Sequence, residues 1–316
     1  MSRIAFLIAR TDVVQDGNYL RLANECLQRG HEVALCPIES IGMVRSAVFV
    51  SGARLTIPVG ENAPFPPMSR VALEDFDIIW VLSLGMRHSF LDKMQLLYNL
   101  SHRCRIVNSI DTIMHFKSKY FTAGNSHVYR HPPTWASTDP AELFDVMKSE
   151  GGKWIAKPPA SSFGRDVYLL TSEDPNAHVV LESMCGPDHD RFCLLQRYVD
   201  EIARGEKRVL IAGGRPVGQY LRIAARDHRT NVHQGAAIDR CELSSEELDY
   251  CEKIGRFLQS HGAEFVGIDL AYPWVIEFNV INPGGLLNIE QVTGSDITVH
   301  IVDNIIDRNG VPPGFP

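Results

Sequence analysis

The sequence is poor in the features that mark most specialised classes of protein. No stretch approaches the roughly 20 consecutive apolar residues that a membrane-spanning helix needs. Its seven cysteines, at 26, 36, 104, 185, 193, 241 and 251, form no Cys-x-x-Cys pair and follow no regular spacing. That excludes the common zinc and disulfide-framework patterns and leaves reduced, cytosolic thiols as the expectation. Basic residues are not in excess, since 31 Lys and Arg stand against 38 Asp and Glu for a net charge of -7. Binding to a nucleic-acid backbone needs clustered cations, so no nucleic-acid partner is expected. The apolar run that ends at Ile8 is too short for a secretory signal and meets charged residues at once. A cytoplasmic protein with no membrane partner is therefore expected. The first strand is followed by Arg10 to Gly17 without a glycine fingerprint, which argues against a dinucleotide site.

What is present is an ordinary globular composition, 45% hydrophobic and 22% charged, in 316 residues, enough for two or three cores. Apolar runs at 4–8 and 32–38 flank a helical pattern at 20, 23 and 27 that Gly30 stops. A strand at 76–82, a helix at 89–102 and a strand at 105–107 continue the alternation, so residues 1–110 read as a parallel α/β domain. Residues 53–67, rich in Pro, Gly and Asn, read as a surface loop. A second unit, 111–190, carries a capping box at Asp139-Pro-Ala-Glu142, a helix ended by Gly151-Gly152, and strands at 153–157 and 166–170. A third, 191–316, reads as strands at 193–198, 207–211 and 216–221, a helix opened by Ser244-Ser-Glu-Glu247 with Leu248, Cys251, Ile254 and Leu258 on one face, and a closing helix at 296–307.

Between those last two helices lies the most specific stretch, Gly267-Ile-Asp269 followed by Glu277-Phe-Asn279 across a turn near Pro273. Alternation puts Glu277 and Asn279 on one face, and the turn sets Asp269 opposite Glu277. Facing carboxylates repel unless a cation lies between them, and two carboxylates with an amide suit a hard cation such as Mg²⁺ carrying phosphates. The plain alternative, a solvated acidic hairpin, fits poorly with the apolar flanks at 265–266 and 274–276. Lys157 ends an apolar strand and enters a loop of small residues containing Ser161, Ser162 and Gly164, which would let backbone N–H groups approach phosphate. Lys119, taken alone, reads more plainly as an exposed helical charge than as a phosphate ligand. Glu206 and Arg208 share a strand face, and Arg208, Arg222, Arg226 and Arg229 put four arginines into 22 residues, either an anion site or a solvated basic loop.

In this order and approximate spacing, Lys119, Lys157, Gln196-Arg-Tyr198-Val199, Glu206-Lys-Arg208, Arg222, Arg229-Thr-Asn231, Asp269, Glu277 and Asn279 resemble the ATP-grasp ligases, and among them bacterial glutathione synthetase. The resemblance covers roughly residues 108–307. It implies an α/β ATP-grasp fold preceded by a small parallel α/β domain, and a ligase that uses ATP with Mg²⁺, or Mn²⁺, to join amino-acid or peptide substrates through an acyl phosphate. It further implies a homo-oligomer. By the same resemblance Lys119, Lys157 and the 161–164 loop meet the phosphates, with Arg208 also on the nucleotide. Gln196 and the Tyr198–Val199 backbone face adenine, Glu206 holds the ribose, and Asp269, Glu277 and Asn279 hold metal. Arg222, Arg229 and Asn231 would act on the acyl phosphate.

Two departures from that family fall on the substrate side. Asn282-Pro-Gly284-Gly285 replaces a Ser-Pro-Thr-like turn, and Leu82 to His88, with Arg87, replaces a more charged element. Asn282, Gly284, Gly285 and Arg87 are therefore candidate substrate residues, against the alternative that the former are simply a tight turn. A ligase for another amino-acid or peptide pair, a non-catalytic nucleotide-binding protein like synapsin, and a phosphotransferase remain as rival readings.

Overall fold

The structure, a computed structural model, describes residues 1–159, 166–224 and 236–308. Parallel strands β1 (Arg3–Ile8) and β2 (Glu32–Pro37) flank helix α1 (Asn18–Gln28), then come β3 (Gly42–Val44), β4 (Ala47–Leu55), β5 (Ser69–Ala72), β6 (Ile78–Val81), helix α2 (Phe90–Tyr98) and β7 (Arg105–Val107). The sheet order is β3-β4-β2-β1-β6-β7, with β5 on β4. Its core, β2-β1-β6-β7, is parallel as the alternation predicts. Beyond that parallel core, β4 runs antiparallel to β2 and pairs antiparallel with β3 and β5, strands that the alternation did not reveal. The surface loop predicted from 53 therefore begins inside β4, and α2 stops at Tyr98 rather than His102.

Helix α3 (Lys119–Gly124) leads into a second sheet formed by β8 (Thr134–Ser137), helix α4 (Pro140–Glu150), β9 (Trp154–Lys157), β10 (Tyr168–Leu170), helix α5 (Ala177–Cys185) and β11 (Cys193–Arg197), in the order β10-β9-β11-β8. The expected boundary at 190 falls inside this sheet, since β11 hydrogen-bonds β9 and β8. Asp139 caps α4 through Ala141 N as predicted, but Glu142 turns to Ser137 Oγ at 2.6 Å, and Ser137 Oγ takes the Asp139 N–H instead. Trp154, Ala156, Cys193 and Leu195 pack under α4 and α5. Strand alternation then puts Lys157 and Gln196 on the opposite face.

The third sheet contains β12 (Glu206–Ala212), β13 (Arg215–Ile223), β14 (Ala237–Asp239), helix α6 (Ser245–Ser260), β15 (Phe265–Ala271) and β16 (Trp274–Asn279), with helices α7 (Leu286–Thr293) and α8 (Thr298–Ile305) after it. Its strands run β14-β13-β12-β15-β16, all antiparallel. The capping box that opens α6 is complete. Leu248 is 40% exposed, contrary to its predicted place on the buried face. Glu247 is buried instead, because Lys207 holds its carboxylate at 2.7 Å.

The first and third sheets share one core. Ile4, Phe6 and Trp80 pack with Leu210, Phe265, Ile301 and Ile305, and Trp80 stacks on Phe6 with its other side against the edge of Phe265. Asn108, at the end of β7, closes the joint. Its amide donates to Phe265 O at 2.8 Å and Val280 O at 2.7 Å, and its carbonyl accepts from Glu264 N and Phe265 N. Every polar atom of this buried side chain is thus satisfied across the root of β15 and β16. Among the described residues no helix is long and apolar enough to cross a membrane.

Candidate functional site

The predicted hairpin is present. β15 and β16 pair antiparallel with Asp269 opposite Glu277 and Gly267 opposite Asn279, across the Tyr272–Pro273 turn. Next to β15, β12 sets Arg208 opposite Asp269, and β13 sets Arg222 opposite Glu206. Two-residue alternation on three adjoining strands thus collects Glu206, Arg208, Arg222 and Asp269 on one face, all buried. Gly267 leaves room there, since a Cβ would lie 3.1 Å from both Arg208 Cδ and Pro283 Cβ.

The facing carboxylates are compensated by side-chain cations. Arg208 Nε and Nη2 clasp the two Asp269 oxygens, the second at 3.0 Å. Arg222 Nη2 lies 2.8 Å from Asp269 Oδ1 and 2.7 Å from Glu206 Oε2. Asn279 Nδ2 donates to Asp269 Oδ2 at 3.2 Å, and Lys119 Nζ reaches Glu277 Oε1 at 3.0 Å. Burial by itself would raise the Asp269 pKa, but the two guanidiniums outweigh it and hold the carboxyl down at about 2. Lys119, read from sequence as an exposed helical charge or a phosphate ligand, is 8% exposed and points at the carboxylate strand.

Lys157 differs from the other cations. Its ammonium donates to a neutral amide, Gln196 Oε1, at 2.8 Å. Burial, with Lys119 nearby, pushes its pKa down to about 8 against the pull of Glu277 and Glu206. The Gln196 amide N–H contacts His131 Nε2 at 2.9 Å and Thr134 Oγ1 at 3.2 Å. Gln196, expected to face adenine, therefore has its side chain bonded on both sides. Tyr198 N donates to Lys153 O at 3.0 Å, and Val199 is buried beside it.

The Asn282–Gly285 turn is tied to this face. Asn282 sits in the left-handed region at φ 47° and accepts from Asn18 Nδ2 at 2.7 Å, while Arg208 Nη1 donates to Gly284 O at 3.1 Å. At Gly285, φ 150°, a Cβ would meet Tyr220 at 3.2 Å and Leu210 at 3.3 Å, whereas at Gly284 it would meet open space. Arg87 is exposed in the turn after β6. Ser161, Ser162, Gly164, Arg226, Arg229 and Asn231 lie outside the described residues. His131 and Asn18 were not legible as site residues. The one follows a loop with no periodicity, and the other reads as the first residue of a helix.

Two carboxylates and an amide oxygen form a donor set suited to a hard divalent cation. Beside them, Arg222 Nε is buried with no hydrogen-bond partner among the described residues, a donor that suits an anionic oxygen. No group of three His, Cys, Asp or Glu side chains that could hold a metal occurs among the described residues.

Comparison with known proteins agrees with this architecture. Residues 119–294 match the family model described as prokaryotic glutathione synthetase, ATP-grasp domain. The chain is similar to glutathione synthetase of Brucella melitensis, 29% identical over 91% of this chain and 92% of that protein, and to that of Mesorhizobium japonicum, 25% identical over 87% and 88%. In fold it resembles the RimK domain ATP-grasp protein of Sphaerobacter thermophilus (TM-score 0.65, 17% identity, 96% and 100% covered). It also resembles the ATP-grasp ligase PsnB, solved with a precursor variant, Mg and ADP (TM-score 0.64, 15% identity, 97% and 98% covered). With the family model matching more than half of its length, the chain belongs to the prokaryotic glutathione synthetase family and is an ATP-grasp ligase.

Proposed function

We propose that this ligase joins a small amino-acid or peptide carboxylate to an amine, with ATP activating the carboxylate as an acyl phosphate. The observation that carries the reading is the sheet face on which buried Asp269 and half-buried Glu277 and Asn279 stand beside Arg208, Arg222 and Lys119, with Lys157 of the second sheet close to Lys119 and Glu277. Two carboxylates and an amide would hold Mg²⁺, which when bound neutralises phosphate charge. Lys119 and Lys157 would bind the phosphates, and with Arg222 they would offset charge on the transferring phosphoryl group. Arg222 would then steady the tetrahedral adduct formed when the amine attacks. No side-chain nucleophile is needed, because the substrate carboxylate itself attacks the γ-phosphate. Glu206, 2.7 Å from Arg222 Nη2, would hold that guanidinium in place, and on the family resemblance it would also take the ribose.

On this reading the first domain and the Asn282–Gly285 turn choose the substrates, since Asn18 and Arg208 hold the turn between the first domain and the charged face. An amide-forming reaction with γ-glutamylcysteine and glycine is the first pair to test, followed by other acid and amine pairs. With an ¹⁸O-labelled acid, the acyl-phosphate route transfers one label to released phosphate, and the product is an amide. A phosphorylated product without an amide would refute it.

A further inference from the structure

A chain of hydrogen bonds crosses from the second sheet to the third, from Lys157 through Gln196 and His131 to Val275, and the donor-only ammonium and acceptor-only carbonyl at its ends fix the order of donors and acceptors along it. The Lys157 ammonium only donates, so the Gln196 atom 2.8 Å away is the carbonyl oxygen. The Gln196 nitrogen then donates to His131 Nε2 at 2.9 Å, which must accept. The imidazole proton therefore lies on Nδ1 and is donated to Val275 O at 2.8 Å. A neutral ring fits this arrangement, since burial, with Lys157 nearby, pushes the His131 pKa down to about 4. Thr134 Oγ1 is a second acceptor for the Gln196 amide at 3.2 Å, and its own proton has two acceptors in reach, Pro132 O at 2.8 Å and His131 Nε2 at 3.3 Å.

Each end of the chain sits at the site. Lys157 is the buried lysine of β9, and Val275 lies on β16 two residues before Glu277. Residues 130 and 131 engage Val275 on both sides, because Val275 N also donates to Arg130 O at 2.9 Å. The choice of an amide for Lys157 has a consequence. A carboxylate would pin the ammonium but cancel its charge, whereas Gln196 Oε1 pins it and leaves the full charge for an anion. An amide, unlike a carboxylate, can turn the wrong way. Were Gln196 reversed, its N–H would face the ammonium, donor against donor, in a buried site.

We propose that His131 is a positioning residue whose Nε2 lone pair fixes the Gln196 amide, and through it sets Lys157 in register with the carboxylate strand. The inference rests on the reading of Lys157 as a phosphate ligand. It predicts that MgATP affinity depends on the acceptor at the Nε2 position and not on the anchor at Nδ1. Glutamine at 131 can place an oxygen near the Nε2 position. Asparagine reaches only the Nδ1 position and keeps the bond to Val275.

The experiment is calorimetric titration of MgATP into wild type, His131→Gln, His131→Asn and His131→Phe, with thermal melts to establish folding and long-range ¹H–¹⁵N NMR of the wild-type imidazole. The expected result is an Nδ1–H tautomer, a Kd within about twofold of wild type for His131→Gln, and a rise of about tenfold or more for His131→Asn and His131→Phe. If His131→Phe does not fold, the Gln and Asn pair carries the test. An Nε2–H tautomer, retention in Asn with loss in Gln, or equal effects in the two variants would overturn it. A wild-type protein that binds no MgATP would instead strike the functional reading, while the tautomer would still test the hydrogen-bond order.

Discussion

Two equally buried regions of this molecule are built from opposite materials. Around β1, Ile4 to Ile8 are at most 2% exposed and wholly apolar, with Ile4, Phe6 and Ile8 in one cluster with Trp80 and Leu35, and Ala5 and Leu7 in a second with Ile79 and Val81. On the β12-β13-β15 face, Glu206, Arg208, Arg222 and Asp269 are 3–6% exposed and carry four charges. The first arrangement stabilises the fold through the hydrophobic effect. The second gains little net stability, because the desolvation of each ion offsets much of the Coulomb attraction. On the proposed function, four compensated charges in such a position serve binding, and the contrast separates residues that hold the fold from residues that the fold holds.

The comparison breaks most visibly when one charge is removed. Asp269→Ala leaves two buried guanidiniums short of an anion and should cost about 3–5 kcal/mol in urea unfolding, together with all ATP turnover. In the apolar region, Leu7→Ala should cost a similar ~2–5 kcal/mol through its cavity, while the protein that remains folded binds MgATP as wild type does. A loss of MgATP affinity in folded Leu7→Ala would erase the distinction.

A smaller effect should come from pH. The His131 imidazole stays neutral in the folded protein until about pH 4, whereas in an unfolded chain it takes a proton near pH 6.5. The unfolded state thus binds more protons between those values. Stability is fully present above pH 6.5 and falls as the pH drops toward 4, by roughly 2–3 kcal/mol. Urea titrations at pH 7, 6 and 5 should show this slope in wild type and a flatter one in His131→Gln.

The smallest change in stability is expected where two opposite charges leave together. Glu206→Leu combined with Arg222→Met keeps the Asp269–Arg208 pair, so the unfolding free energy from urea titration should stay within about 1 kcal/mol of wild type or rise. Ligase turnover should nevertheless disappear. A double variant that is both much less stable and still active would show that these ions serve the fold.

How much of this was legible in the sequence follows from the range of each interaction. The hairpin was readable because strand alternation and one turn fix Asp269, Glu277 and Asn279 locally, and the Ser244 capping box was readable for the same reason. The antiparallel strands around β4 were hidden in a Pro- and Gly-rich stretch whose pairing is set by the neighbouring sheet. β11 could not be allotted to the second sheet, because its partners β8 and β9 lie tens of residues earlier. Lys119 and Lys157 were identifiable as cations in suggestive places, but their partners Glu277 and Gln196 are 158 and 39 residues away. Nothing local marks His131, whose hydrogen-bond partners Val275 and Gln196 are 144 and 65 residues away.

The measurement that bears most directly on the central claim is ADP release by wild type and Glu277→Gln, with Mg²⁺, ATP and a panel of acid and amine pairs. The account predicts release that requires both an acid and an amine in the wild type, and none above background in folded Glu277→Gln. ADP release by Glu277→Gln at the wild-type rate would contradict it.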